Sequence, residues 1–129
     1  MPKYGDKTAK ELDNYLKNYK PVLGKTGAGF AAPVKDLKRN HTLMKEMKLK
    51  ESDPFFHCKA NYEAATRGSY GSFVADKLGV VKEIWDIEVN KFPVSDTVRD
   101  LRANARGRAG AKAGKNLRET CPTHHTKYK

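Results

Sequence analysis

No run of about 18 apolar residues occurs in the 129-residue chain, which excludes a membrane-spanning helix. Alternation of apolar and polar residues over strand length is also missing, so no sheet is expected. The N-terminal stretch MPKYGDKTAKELDNY lacks the apolar segment of a secretory leader. The expected routes out of a cell are therefore a virion, a larger secreted chain, or lysis. Cysteine is scarce: Cys58 and Cys121 are the two in the chain, and neither belongs to a CxxC pair. That excludes a zinc ribbon or a thioredoxin-like motif. Three readings of the pair stay open. They are a disulfide, two free thiols, or a zinc site made with His57, His124 and His125, which requires the C-terminus to fold back.

A marked nucleophile is also lacking. No serine elbow stands out, and Cys58 adjoins His57, so on a helix the two side chains point about 100° apart. Gly24-Lys25-Thr26 resembles the end of a phosphate-binding loop. The glycine needed five residues before Gly24 is replaced by Tyr19, and no apolar strand precedes it. The sequence names no cofactor, and no metal site is assigned.

Charge is plentiful but unevenly spread. The chain has a net charge of +11. Residues 1–50 hold 12 basic and 5 acidic side chains, residues 51–98 hold 5 and 8, and residues 99–129 hold 9 and 2. Basic ends flank an acidic middle. Such a chain is expected to associate with a polyanion, either nucleic acid or an anionic envelope polymer, or with another virion protein.

Helical periodicity dominates. Thr8 and Glu11 form a capping box ahead of the stripe Leu12, Tyr15, Leu16 and Tyr19, ended by Pro21. Residues 21–34 read as a Gly- and Pro-rich linker. Residues 34–50 read as a basic surface helix broken near Asn40-His41. Ser52 or Asp53 caps the next helix, with Pro54 in its first turn and Gly68 as its stop. Another runs from about Ser72 to Val89, with Phe73, Val74 and Leu78 inward, and a further one starts at Ser95 or Asp96 with Val98, Leu101, Ala105 and Ala109 inward. One more turn is expected over 116–121. The expected fold is all-α: a small helical bundle with an N-terminal helix and basic segment. The divisions are residues 1–50, a helical core over 51–121, and a basic C-terminal arm over 122–129.

Polar residues recur at helical spacing within that core. His57 and Asn61 are four apart, Glu83 and Asp86 three, and Asp96, Asp100 and Asn104 four and four. Each set shares a helix face. As a hydrolytic site, His57 serves as base, Asp100 or Asp96 orients it, and Glu83 with Asp86 supplies carboxylates. Asn104 and Asn61 donate to an oxyanion, while Arg106 and Arg108 hold an anionic group. The competing reading is structural, with the same side chains capping helices and tying a bundle together.

The order His57-Cys58-x-Ala60-Asn61, Leu78-Gly79-x-x-Lys82-Glu83-x-x-Asp86, and Asp96-x-x-x-Asp100-Leu101-x-Ala103-Asn104-x-x-Gly107-Arg108 resembles small cysteine-bearing helical domains. Such domains occur at the C-terminal ends of RHS-type polymorphic toxins and as stand-alone phage proteins. In that pattern one further cysteine stands a helical turn from each of the two found here; Tyr62 and Leu117 replace them together. The resemblance thus implies a Cys58–Cys121 disulfide. It also implies a phage-borne or toxin-type effector or virion-associated domain, possible hydrolase activity on an envelope or polyanionic substrate, and residence in a virion or delivery by a bacterial cell. A virion assembly protein and a host-protein inhibitor are the alternatives.

Overall fold

The computed structural model describes residues 3–20, 31–88, 91 and 94–128. Six α-helices follow in chain order: α1 (Lys3–Lys17), α2 (Ala31–Met47), α3 (Asp53–Ala65), α4 (Ser69–Glu88), α5 (Val94–Lys112) and α6 (Leu117–Thr120). A 3-10 turn (His125–Tyr128) closes the described chain, and no strand occurs among the described residues. The fold is all-α, as the periodicity requires.

α3 is the axis of the bundle. Its positions Phe55, Phe56, Cys58, Ala60 and Ala64 are buried, and so are the polar Lys59, Asn61 and Glu63. Helices α2, α4 and α5 pack around it. Ser52 precedes α3 without capping through its side chain; its hydroxyl donates to the Leu49 carbonyl at 2.7 Å. Leu12, Phe55, Phe56, Ala103, Leu117, Tyr128 and the two cysteines form the apolar core. Burying each phenylalanine contributes on the order of 2 kcal/mol.

Small residues set how closely the helices approach. A Cβ at Gly107 would collide with the Cys58 carbonyl and lie 2.9 Å from the Tyr62 nitrogen. Gly71 meets the Ala64 carbonyl in the same way. α5 runs through both Gly107 and Gly110 to Lys112. Packing against α3 outweighs the helix penalty of about 1 kcal/mol per glycine.

Other boundaries differ for physical reasons. Thr8 lies inside α1, where its hydroxyl donates to the Lys50 carbonyl at 2.7 Å. α2 is unbroken at Asn40, whose amide donates back to the Asp36 carbonyl at 2.8 Å and so stays within the helix. α4 begins at Ser69, because Gly68 reverses the chain with φ +105°. The Gly24-Lys25-Thr26 stretch lies outside the described residues.

Cys58 and Cys121 form a disulfide, with Cα atoms 5.7 Å apart. This excludes the zinc reading, since both thiols are consumed. Closing a loop of 63 residues' separation is worth about 4 kcal/mol on the chain-entropy estimate. Tyr62 and Leu117 occupy the neighbouring turn: the Tyr62 hydroxyl donates to the Lys115 carbonyl at 2.7 Å, and Leu117 is buried. Asn116 and Glu119 cap α6 reciprocally. Beyond it, Tyr128 turns inward, buried, and donates to the Pro122 carbonyl at 2.7 Å.

Candidate functional site

Two polar assemblies and one cavity are organised around α3. The first assembly gathers residues from α3 and α5. His57 Nδ1 lies 3.1 Å from Asn104 Oδ1, and His57 Nε2 lies 3.5 Å from Asp100 Oδ2. The Asn61 amide donates to Asn104 Oδ1 and to the His57 carbonyl, both at 3.0 Å. Arg108 donates to Asn61 Oδ1 at 2.9 Å and pairs with Asp76 of α4 at 3.3 Å. A Cβ at Gly79 would stand 2.9 Å from Asn104 Nδ2, so the glycine makes room for that amide. Asp100 Oδ1 is buried without a hydrogen-bond partner. Burial pushes the Asp100 carboxyl above its usual value, against the opposing pull of His57.

The second assembly lies on the other side of α3 and joins it to α2. Glu63 accepts from the Tyr19 hydroxyl at 2.6 Å, Asn40 at 2.7 Å and Arg39 at 2.8 Å, and pairs with Lys59 at 3.2 Å. Asp36, wholly buried, takes two bonds from Arg67 at 2.6 and 3.0 Å and one from Arg39 at 3.0 Å. Burial raises the Glu63 pKa, but Lys59 and the three hydrogen-bond donors outweigh it and hold the carboxyl below its usual value. Burial likewise lowers Lys59, with Glu63 opposing.

Between α2, α3 and α4 lies a cavity of about 410 Å³. Val34, Leu37, Met44, Phe56, Ala60 and Leu78 give it apolar walls, and His57, Asn61 and Asn104 form part of its lining. Lys38, Asn40, His41, Gly79 and Lys82 complete it. Burial, then the nearby Lys45, Lys82 and His57, hold His41 below the usual histidine value.

The structure thus brings His57, Asn61, Asp100, Asn104 and Arg108 together. Arg106 is elsewhere: it donates to the Thr120 carbonyl at 2.7 Å and stacks over Tyr128. Glu83 and Asp86 belong to the α4 backbone and Asp96 to α5, but their side chains lie outside the described residues. The Asp36–Arg39–Asn40–Lys59–Glu63–Arg67 assembly was not anticipated. Its signal was present as i,i+4 pairs, Asp36 with Asn40 and Lys59 with Glu63, on helices that also carry apolar residues. Among the described residues no cluster of three or more His, Cys, Asp or Glu suits a metal ion.

α5 faces the opposite way from expectation. Val98, Leu101, Ala105 and Ala109 are exposed, with Val98 at 40% and Leu101 at 36%. Thr97, Asp100, Ala103, Asn104, Gly107 and Gly110 face inward instead. Small and polar residues fit the short distance to α3, and larger apolar ones do not. Phe73 of α4, also expected inside, is 58% exposed.

The chain is, by fold, a disulfide-linked helical bundle with a saturated polar seam on one side of its central helix and an apolar cavity beside the other. The family model of serum amyloid A protein matches residues 26–124. The chain belongs to the serum amyloid A family. It is 40% identical over 75 residues to serum amyloid A-1 protein of Mus musculus, covering 58% of this chain and 61% of that one. It is 36% identical over 75 residues to serum amyloid A protein of Notamacropus eugenii, covering 58% and 59%. The duck protein of Anas platyrhynchos shows the same 36% over 75 residues, again 58% and 59%. The chain spans about three fifths of the length of the curated relatives it matches.

This membership overturns the resemblance to RHS-type toxin ends and phage proteins. The phage or toxin effector, the hydrolase on an envelope substrate, the polyanion or virion-protein partner and the virion location fall with it. The cause is physical. Alanine and glycine at helix crossings and Asn, Asp and His turned inward at helical spacing are what any closely packed small bundle requires.

Proposed function

We propose that this chain associates with the surface of a lipid particle, through the outward face of α5. The observation that carries the reading is the inverted amphipathicity of that helix. Val98, Leu101, Ala105 and Ala109 fall on one stripe of solvent-facing surface, bordered by Arg102 and Lys112. A helix lying in a lipid interface needs this pattern: apolar side chains toward the acyl boundary, and long cationic side chains reaching back to the headgroups. From Val98 to Ala109 the stripe runs about 16 Å at 1.5 Å per residue. No helix among the described residues is long and apolar enough to cross a membrane, so surface contact is the mode the elements support. Membership of a family named for serum supports a setting where lipid particles circulate.

The test is flotation with phosphatidylcholine vesicles, whose zwitterionic surface minimises simple charge attraction. The doubly substituted Val98→Asp, Leu101→Asp chain should lose vesicle binding at least about tenfold while keeping its helical circular dichroism, because both side chains are exposed. Undiminished flotation of the folded double variant would remove α5 as the contact.

A further inference from the structure

We infer that the cavity between α2, α3 and α4 binds a neutral apolar molecule through one carbonyl oxygen, which accepts from the side-chain amide of Asn104. The surrounding bonds leave that amide one orientation. A guanidinium only donates, so the bond from Arg108 at 2.9 Å fixes the Asn61 oxygen as its acceptor. Asn61 Nδ2 is then turned to the His57 carbonyl and to Asn104 Oδ1, each at 3.0 Å. Asn104 Oδ1 only accepts, so His57 Nδ1, at 3.1 Å, carries a hydrogen towards it. Asn104 Nδ2 is left facing Gly79, and both residues line the cavity. Asn104 is 2% exposed, and its Nδ2 has no acceptor among the described residues.

A buried N–H without an acceptor is costly, and a ligand that supplies one removes the cost. A carbonyl offers two lone pairs and brings no hydrogen that needs a partner of its own. The walls decide what carries that oxygen. Leu37, Met44, Phe56 and Leu78 are apolar, and an apolar body removes their surface from water. The volume of about 410 Å³ falls in the range of roughly 300–1,000 Å³ occupied by small-molecule sites. The bond to Asn104 requires no charge on the ligand. Lys82 has an interaction of its own, and Asp53 acts on His41 in opposition to Lys45 and Lys82, so the cationic part of the lining is answered within the protein. The site lies inside the bundle, apart from the α5 stripe, and does not rest on the lipid-surface reading.

Benzophenone and diphenylmethane share one skeleton and differ by a carbonyl against a methylene. Each is titrated into the whole, isotopically labelled chain, below its solubility limit, and followed by nuclear magnetic resonance. Benzophenone is expected to bind at least about tenfold more tightly than diphenylmethane, the difference one buried hydrogen bond makes. It should shift both the Asn104 side-chain amide and the Met44 methyl resonance, whereas diphenylmethane should shift Met44 alone. Asn104→Asp keeps an acceptor for Asn61 and His57 and replaces Nδ2 by oxygen. In that variant benzophenone should fall to the affinity of diphenylmethane, and a retained advantage in the folded variant overturns Asn104 as the donor. Three outcomes on the wild-type protein decide the matter even where the variant fails to fold. Equal affinity for the two probes overturns the carbonyl. An Asn104 amide unmoved by benzophenone overturns the bond, and a Met44 methyl unmoved by either probe overturns the cavity.

Discussion

α3 presents two polar sides, offset by about 200° between His57 and Lys59, and they are finished to different degrees. On the α2 side, Glu63 and Asp36 are buried carboxylates whose oxygens take bonds from Tyr19, Arg39, Asn40 and Arg67, with Lys59 as a close cation. On the α5 side, Asp100 has a histidine nitrogen at 3.5 Å and one oxygen with no partner. The difference teaches how polar groups are used in this bundle. A fully compensated set fixes the register of two helices, because shifting either leaves buried charges alone. An under-compensated set beside a cavity costs stability.

The largest expected effect comes from dismantling the finished side. Glu63→Ala leaves Lys59 buried without its carboxylate and strips an acceptor from Tyr19, Asn40 and Arg39. A loss of about 3–5 kcal/mol is expected, the usual cost of removing one partner from a buried pair. It is read as a fall in the urea midpoint at pH 7. A loss below about 1 kcal/mol would erase the distinction between the two sides.

The helices and the crossings were legible in the sequence, because both follow from local rules. Period 3.6 in the apolar residues marks α1, α3 and α4, and the pairing of Pro54 with Gly68 brackets α3. The grouping of His57, Asn61, Asp100 and Asn104 was legible for the same reason: residues four apart on two helices must meet if the helices pack along those faces. What was not legible depends on which face turns inward. α5 offers Val98, Leu101, Ala105 and Ala109 on one side and alanine, glycine and polar residues on the other. Hydrophobicity favours burying the first, whereas the short approach at Gly107 admits the second. Distance of approach is a tertiary quantity that no window of sequence contains. The Glu63 assembly was hidden likewise, since a lysine and a glutamate four apart read as a surface pair until α2 covers them.

Acid should separate the two sides with opposite signs. Glu63 has a folded pKa below its ordinary value, so its contribution is present above the unfolded pKa and lost as pH falls through the folded one. Asp100 has a folded pKa above its ordinary value, so its contribution is present below the unfolded pKa and lost as pH rises through the folded one. Urea midpoints taken from pH 7 down to pH 3 should therefore fall in the wild type, through Glu63, and fall less in Glu63→Ala than in the parent. A parallel decline in both proteins would show that carboxylates outside this assembly govern acid unfolding.

The smallest effect is expected at Asp100. In Asp100→Asn the buried charge is removed while the side chain keeps its size, and the partnerless oxygen no longer belongs to an ion. What is given up is attraction to His57 across 3.5 Å, beyond good hydrogen-bond distance. The balance should favour the variant by at most about 1 kcal/mol at pH 7, the scale of one exchanged hydrogen bond. The advantage should then shrink as pH falls, because the wild-type carboxyl becomes protonated and loses its burial penalty. A variant less stable than the parent at pH 7 would mean that the His57–Asp100 attraction exceeds the cost of burying the charge. The α5 side would then be as fully compensated as the side centred on Glu63.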